Sequence, residues 1–456
     1  MISFENVDKS GIKYLLLNRY VQIVHNFIFY KKYYVLHRNR IPKNAPIVLI
    51  CNHQNGLSDA LGLIFALNKG RKTPVFIARA DIFKKDIIGK LLRFIRIMPA
   101  YRVVDTGKEN LGENTKIFNK SARILLNNGI VGLFPEAGHE DCHHLSTFKK
   151  GFARIAFQAA EMSNFETPIH ILPCSNHYSD YFGFQNKLII TIGEPFTFEE
   201  FYDIYKQHPE RAQKLLADKA RTVIKPMMLD IEDKNLYEEY DIIRTIYAKI
   251  LVKKQGKKVS YYPNIFEAEK TIVSSLNNLK NNDEENYTSL MISADRYTRL
   301  LDKIHLNDII LADKFNFIIF ILRFFIAIMI SPFMIYGFVN NFIAYYVSHL
   351  FTRKIKDQML HASFHFAICT LVTFPVCYIA ASVTVWCITG IWWIALLYFI
   401  SLPISLIIYL ESKELWQKQL QRFRRFKYWI EGFYLYREAC ELRKLLIEKL
   451  DKIVDL

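Results

Sequence analysis

The chain has 456 residues, more than one domain usually holds, with a formal net charge of +16 and an isoelectric point near 9.3. A basic chain with 35 Phe and 26 Tyr suits nucleic acid or an anionic membrane surface, and the placement of its apolar residues decides for the membrane. The 7 Cys have no paired spacings, which excludes a disulfide framework and points to a reducing compartment, and MISFENVDKSGIKYLL lacks the apolar core and cleavage site of a secretory signal.

Residues from about 9 to 35 read as a helix rich in Tyr, Phe, Ile, Leu and Val. Arg19, His25, Lys31 and Lys32 make it too polar to span a bilayer, so it packs on the following domain or lies on a membrane surface, and packing is the reading preferred. From Ile47 to about Phe196, short apolar strands alternate with helices. The strands are placed at 47–51, 74–78, 97–101, 130–134, 169–174 and 188–192, and the helices near 60–67, 89–95, 111–126 and 152–162. That alternation predicts an α/β fold, a sheet with covering helices. Residues from about 197 to 314 are charged and helical in pattern. Thr197 to Glu200 form a capping box, and 253–258 and 281–286 read as solvated turns.

From Phe315 the character changes. Residues 364–410 hold no Asp, Glu, Lys or Arg, enough for two membrane spans joined by a turn near Gly390, with Trp386, Trp392, Trp393 and Tyr398 as an interfacial belt. Residues 317–350 are short for two full spans. Pro332 and Gly337 predict a bend, hence a re-entrant hairpin or two short tilted helices. Lys314, then Arg353, Lys354 and Lys356, then Lys413 to Lys427 flank these blocks with positive charge, so all three flanks belong on the cytoplasmic side. The organisation expected is an N-terminal helical region (1–45), a catalytic domain (46–196), a helical subdomain (197–314), a membrane region of two hairpins (315–410) and a basic cytoplasmic helical tail (411–456).

Within the α/β region, Asn52-His53-Gln54-Asn55-Gly56-Leu57-Ser58-Asp59 joins a buried strand to a helix. His53 at the strand end and Asp59 at the helix start can meet across the turn, which suits a general base held by a carboxylate; a plain N-cap at Asp59 is the structural alternative. Phe134-Pro135-Glu136-Ala137-Gly138-His139 follows another strand, where α/β proteins bind ligands. Lys149 and Lys150 open a helix and suit phosphate, and Arg102 follows a third strand, where it can grip phosphate with two nitrogens. Each has a bland counterpart: a capping carboxylate, surface charge, an ion pair. His139-Glu140-Asp141-Cys142-His143 fits the H-E-x-x-H zinc pattern, but Pro135, Gly138, Asp141 and Cys142 argue for a loop, and no third ligand is evident. His361 and His365 read as interfacial histidines rather than an iron-binding box.

Together and in order, these blocks resemble the glycerophosphate acyltransferase superfamily over roughly residues 45–195. The five-residue gap between His53 and Asp59, the third block Phe134-Pro135-Glu136, and Phe148-Lys149-Lys150-Gly151 look like the glycerol-3-phosphate/dihydroxyacetone-phosphate acyltransferase branch, which also carries membrane helices after its catalytic domain. Ala137 replaces the usual glycine, and the block around Arg102 departs from the family's. The resemblance implies an O-acyltransferase of phospholipid synthesis. His53 is then the base and Asp59 its holder, with Arg102, Glu136 and Gly138 around a glycerol-phosphate acceptor. Acyl-coenzyme A or acyl carrier protein is the donor and the lipid bilayer the setting, with no metal or other cofactor. Acylation of a lysophospholipid or an amino-acid lipid is the alternative enzyme reading, and a non-catalytic lipid-binding or transport protein the alternative of another class.

Overall fold

The computed structural model describes residues 7–9, 11–67, 73–83, 86–101, 112–136, 138, 142–181, 184–313, 315–355 and 358–454. These divide into two compact units, Met1–Met228 with Ile355–Phe364, and Leu229–Lys354 with His365–Leu456.

The first unit is built on a seven-stranded sheet of order β1-β7-β6-β2-β5-β3-β4. Its strands are β1 (Tyr30–Leu36), β2 (Ile47–Cys51), β3 (Val75–Arg79), β4 (Ile97–Ala100), β5 (Ile130–Leu133), β6 (His170–Tyr178) and β7 (Asn186–Ile192). All neighbours run parallel except β6 and β7. Every residue of β2 is buried, as a central strand covered on both faces requires, which is why Ile47 to Cys51 is an unbroken apolar run. Helices Glu113–Leu126, Gly151–Met162 and Pro209–Ile224 seal one core with Val48, Ile50, Val131, Phe152, Ile155, Phe157, Leu216 and Ile224. This is the expected α/β class, a mixed sheet with covering helices, followed by a mostly helical region with three apolar helices.

Three boundaries differ from the sequence reading. The N-terminal region is not wholly helical: helix Ile12–Ile23 passes through a π-helical turn, Val24–Phe29, into β1, the edge strand of the sheet. The apolar and aromatic residues of 24–36 serve a helix or a strand equally, and only pairing with β7 selects the strand. The first unit also extends past residue 196, because Pro209–Ile224 buries Ala212, Leu216, Ala220 and Ile224. No capping box forms at Thr197; a 3-10 turn, Glu199–Phe201, leads into helix Tyr202–Gln207 without a side-chain cap.

The second unit joins helices Tyr237–Lys254, Tyr262–Asn282, Glu284–Ile304 and Tyr434–Ile453 to long apolar helices. Two of its buried carboxylates are paired: Glu269 with Arg244 at 2.9 Å, and Asp308 with Arg443 at 2.7 Å. Phe317–Thr352, Ser363–Thr389 and Trp392–Glu431 are each long and apolar enough to cross a membrane. The first block is therefore one continuous helix with Pro332 inside it, not a hairpin. A helix interior tolerates Pro when neighbouring helices satisfy the freed backbone groups. The turn of the second block falls where expected, at Gly390, whose φ of 69° is the left-handed conformation that ends a helix.

Candidate active site

β2 lies between β6 and β5, with Ile50 level with Leu133 and Cys51 level with Cys174. The carboxyl ends of three adjacent strands thus meet at one place. His53 lies two residues past the end of β2 and Glu136 three past the end of β5, while β6 carries Asn176 and Tyr178 beside them.

The His53 Nδ1 is 2.8 Å from Asp59 Oδ2. That oxygen also accepts the backbone N–H of Gln54 and of Asn55, each at 2.8 Å. The other, Oδ1, accepts Asn176 Nδ2 at 2.8 Å and the Tyr178 hydroxyl at 2.6 Å. Asp59 is fully buried and held by five donors. Burial pushes its carboxyl up, but the bonds from His53, the Asn55 backbone and Tyr178 prevail and hold it below the usual carboxylate range. A charge with that many fixed donors is a strong orienting group for an imidazole. Asp59 sits in the first turn of helix Gly56–Leu67 and reaches back to the two N–H groups just before it while it holds the His53 ring. Asp59 is therefore not the N-cap of this helix, which begins three residues earlier at Gly56. Gly56, with φ at 45°, lets the chain turn sharply enough for that reach.

Three groups seat the His53 ring and its turn. Phe134 stacks on the imidazole with ring centroids 4.3 Å apart and planes 16° apart. Glu136 accepts the His53 N–H at 2.7 Å through one oxygen and the Ser146 N–H at 2.8 Å through the other. Burial, only partly offset by these two bonds, lifts its carboxyl to about 7. Asn52 exchanges two hydrogen bonds with the backbone of Asn176, its Nδ2 donating to the carbonyl at 3.1 Å and its Oδ1 accepting the N–H at 2.7 Å. Nδ1 is committed to Asp59, and the His53 side chain is 19% exposed.

The other sequence-selected residues are less gathered. Gly138 is exposed, with open space where a Cβ would stand. The Lys149 N–H donates to the Pro135 carbonyl at 2.8 Å, which ties the third block to the start of helix Gly151–Met162. Lys150 faces Glu210 at 3.5 Å. Arg102, Ala137, His139, Glu140 and Asp141 lie outside the described residues. His143 is not helical; its Nδ1 lies 2.7 Å from the Tyr181 hydroxyl. Among the described residues, no three His, Cys, Asp or Glu side chains are grouped for a metal ion. His365 packs edge-on against Tyr345, with ring centroids 4.7 Å apart. Sequence reasoning missed Asn52, Asn176 and Tyr178. Alternation places Asn176 and Tyr178 on the same face of β6, but the expected strand stopped at Cys174.

Residues 33–176 match the acyltransferase family model. This stretch is thus similar to acyltransferases of glycerophosphate lipids. The chain is similar to glycerol-3-phosphate O-acyltransferase 2 of Saccharomyces cerevisiae, 25% identical over 197 residues, which are 43% of this chain and 25% of that one. It thus spans about a quarter of the length of that curated relative. Among solved structures, it is similar to the 1-acyl-sn-glycerophosphate acyltransferase of Thermotoga maritima, at 17% identity and a TM-score of 0.33, over 48% of this chain and 81% of that one. The acyltransferase match begins inside β1 and ends at Asn176, so it takes in the His53–Asp59 turn, Phe134, Glu136 and one of the two β6 side chains that anchor Asp59.

Proposed function

We propose that this acyltransferase moves a fatty acyl group from a thioester, acyl-coenzyme A or acyl carrier protein, to a hydroxyl of glycerol 3-phosphate or dihydroxyacetone phosphate. The observation that carries the reading is His53 held at 2.8 Å by a buried carboxylate. His53 Nε2 takes the acceptor's hydroxyl proton, and the freed oxygen attacks the thioester carbonyl. The resulting imidazolium, stabilised by Asp59, returns the proton to the departing sulfur as the C–S bond breaks. The new C–O ester bond replaces the broken thioester, and the proton balance closes on His53. No metal, nucleotide or covalent enzyme intermediate takes part. Arg102, Gly138, Lys149 and Lys150 are the proposed acceptor and phosphate contacts, with Glu136 at the edge of the same site. The apolar helices hold the enzyme on a bilayer, and the catalytic domain faces the cytoplasm, where acyl thioesters are made.

The test is thiol release and lipid product formation by the purified full chain. Acyl-coenzyme A and acyl carrier protein are each offered with glycerol 3-phosphate, dihydroxyacetone phosphate and a lysophospholipid. Fastest transfer to glycerol 3-phosphate or dihydroxyacetone phosphate supports the reading. Fastest transfer to the lysophospholipid replaces the acceptor, and no transfer with any pair removes the enzymatic reading.

A further inference from the structure

The catalytic turn is tied down by its own domain at Asn52, by Asn176; at His53, by Glu136; and at Gln54 and Asn55, by Asp59. Asn55 Nδ2 also donates to the Tyr181 carbonyl at 2.9 Å. One further tether comes from elsewhere in the chain. The Ser363 hydroxyl donates to the Asn55 carbonyl at 3.2 Å and lies 3.5 Å from Asn55 Oδ1, across 308 residues of sequence. Both residues are 2% exposed.

Ser363 lies inside helix Gln358–Ile368, which leads into a stretch long and apolar enough to cross a membrane. It belongs to Ile355–Phe364, the segment that joins the catalytic unit after the first apolar helix has been completed. A serine inside a helix ordinarily bonds the carbonyl one turn back or faces solvent. Here it is buried against the turn that carries the base. Asn55 is also not a neutral place to hold. Its N–H shares Asp59 Oδ2 with His53 Nδ1, so a shift of Asn55 moves the oxygen that aims the imidazole. The chain of contact runs from Ser363 through the Asn55 peptide and Asp59 to His53.

We infer that Ser363 is a positioning residue of the active site, and that the catalytic turn is completed by the segment at the head of the second apolar stretch. The inference rests on the acyl-transfer reading above for its rate, but not for its structure. Turnover therefore depends on how that segment is seated.

The experiment compares wild type, Ser363→Ala and Ser363→Thr as full-length proteins. It measures kcat and KM for donor and acceptor, and hydrogen exchange at the amides of 54 and 55. Loss of one buried hydrogen bond near the base predicts kcat lower by about 5- to 20-fold in Ser363→Ala with KM unchanged. Ser363→Thr keeps the hydroxyl and restores wild-type turnover, and the two amides exchange faster in Ser363→Ala alone. Wild-type kcat and exchange in Ser363→Ala overturn the inference, as does a change confined to KM. If the wild type transfers no acyl group, the function has failed and exchange alone decides: faster exchange upholds the positioning role, and unchanged exchange removes it.

Discussion

At the scale of residues, the candidate site is a carboxylate that cannot be replaced lightly. Deleting the Asp59 side chain in Asp59→Ala leaves five buried donors without an acceptor, each costing roughly 1–3 kcal/mol, and should unfold the turn. Asp59→Asn is different. If its oxygen keeps the three donors of the turn, its NH2 faces Asn176 and Tyr178. The hydroxyl can rotate, and Asn176 can flip to present Oδ1, which has no hydrogen-bond partner. The fold should therefore survive, while the lost charge no longer stabilises imidazolium. His53→Ala, which removes the base, should lower kcat by about 100- to 10,000-fold with an unchanged melting temperature. Asp59→Asn should fall in the same direction, and either variant within a few-fold of wild type would deny the pair its role. Glu136 gives a pH signature. Its carboxyl rises from 4.5 to about 7 on folding, so the native state binds the proton more tightly than the unfolded chain. Stability from this group is full below about pH 4.5 and is lost as pH rises to about 7, by about 3 kcal/mol in all. Asp59 works the other way, its contribution being lost only as pH falls toward and below the ordinary carboxylate range. Melting temperatures from pH 5 to 8 should fall in the wild type and stay flatter in Glu136→Gln; equal slopes would exclude Glu136 as the source.

At the scale of elements, close approach governs the apolar helices as alternation governs the sheet. Phe317–Thr352 meets Trp392–Glu431 at Gly337, where a Cβ would stand 2.3 Å from the Ser405 carbonyl. Asn341 Nδ2 bonds Ser405 Oγ at 3.0 Å beside it, and Tyr398 donates to Asn340. Small residues that let backbones approach, with polar side chains closing hydrogen bonds between helices, are the means available where lipid competes equally for apolar surface. Gly337→Leu should force the pair apart and destabilise the detergent-solubilised protein by about 1–3 kcal/mol, read as a lower melting temperature. Gly390→Ala, at a turn with open space around it, should cost no more than its left-handed backbone demands, about 1–2 kcal/mol. An equal or smaller loss in Gly337→Leu would mean that the helices are not packed at that glycine.

At the scale of the whole molecule, connectivity constrains topology. Among the described residues before Phe317, no helix is long and apolar enough to cross a membrane, yet Ile355–Phe364 packs in one unit with Met1–Met228. The positive charges at Lys314 and at Arg353, Lys354 and Lys356 predict that both flanks of Phe317–Thr352 lie on the same side of the bilayer. The helix rises about 54 Å at full length, long enough to cross, and the charge rule predicts that it does not cross as a simple span. The two-hairpin expectation fails in form, since one helix replaces the first hairpin, but its consequence stands as a prediction. In a cysteine-free background, Thr389→Cys should react with an impermeant thiol reagent from outside intact cells. Arg353→Cys and Lys413→Cys, at exposed positions, should react only after permeabilisation. Labelling of Arg353→Cys from outside would mean that the first helix crosses.

The sequence by itself determined what depends on local pattern and chemical type. The unbroken apolar run of β2 marked a central strand, the uncharged 364–410 stretch marked two apolar helical segments with their turn at Gly390, and His53 with Asp59 across a strand-to-helix turn marked a hydrogen-bonded pair. Tertiary structure decided whatever depended on partners distant in sequence. Residues 30–36 became a strand because β7 offered an edge, and Asn176 and Tyr178 became ligands of Asp59 because β6 runs beside β2. Pro332 proved compatible with one long helix, and Ser363 reached the His53–Asp59 turn across 308 residues. Periodicity reports which face of an element is apolar. It carries no information about which distant element will cover that face, and the five donors on Asp59 and the tether at Asn55 follow from that second fact.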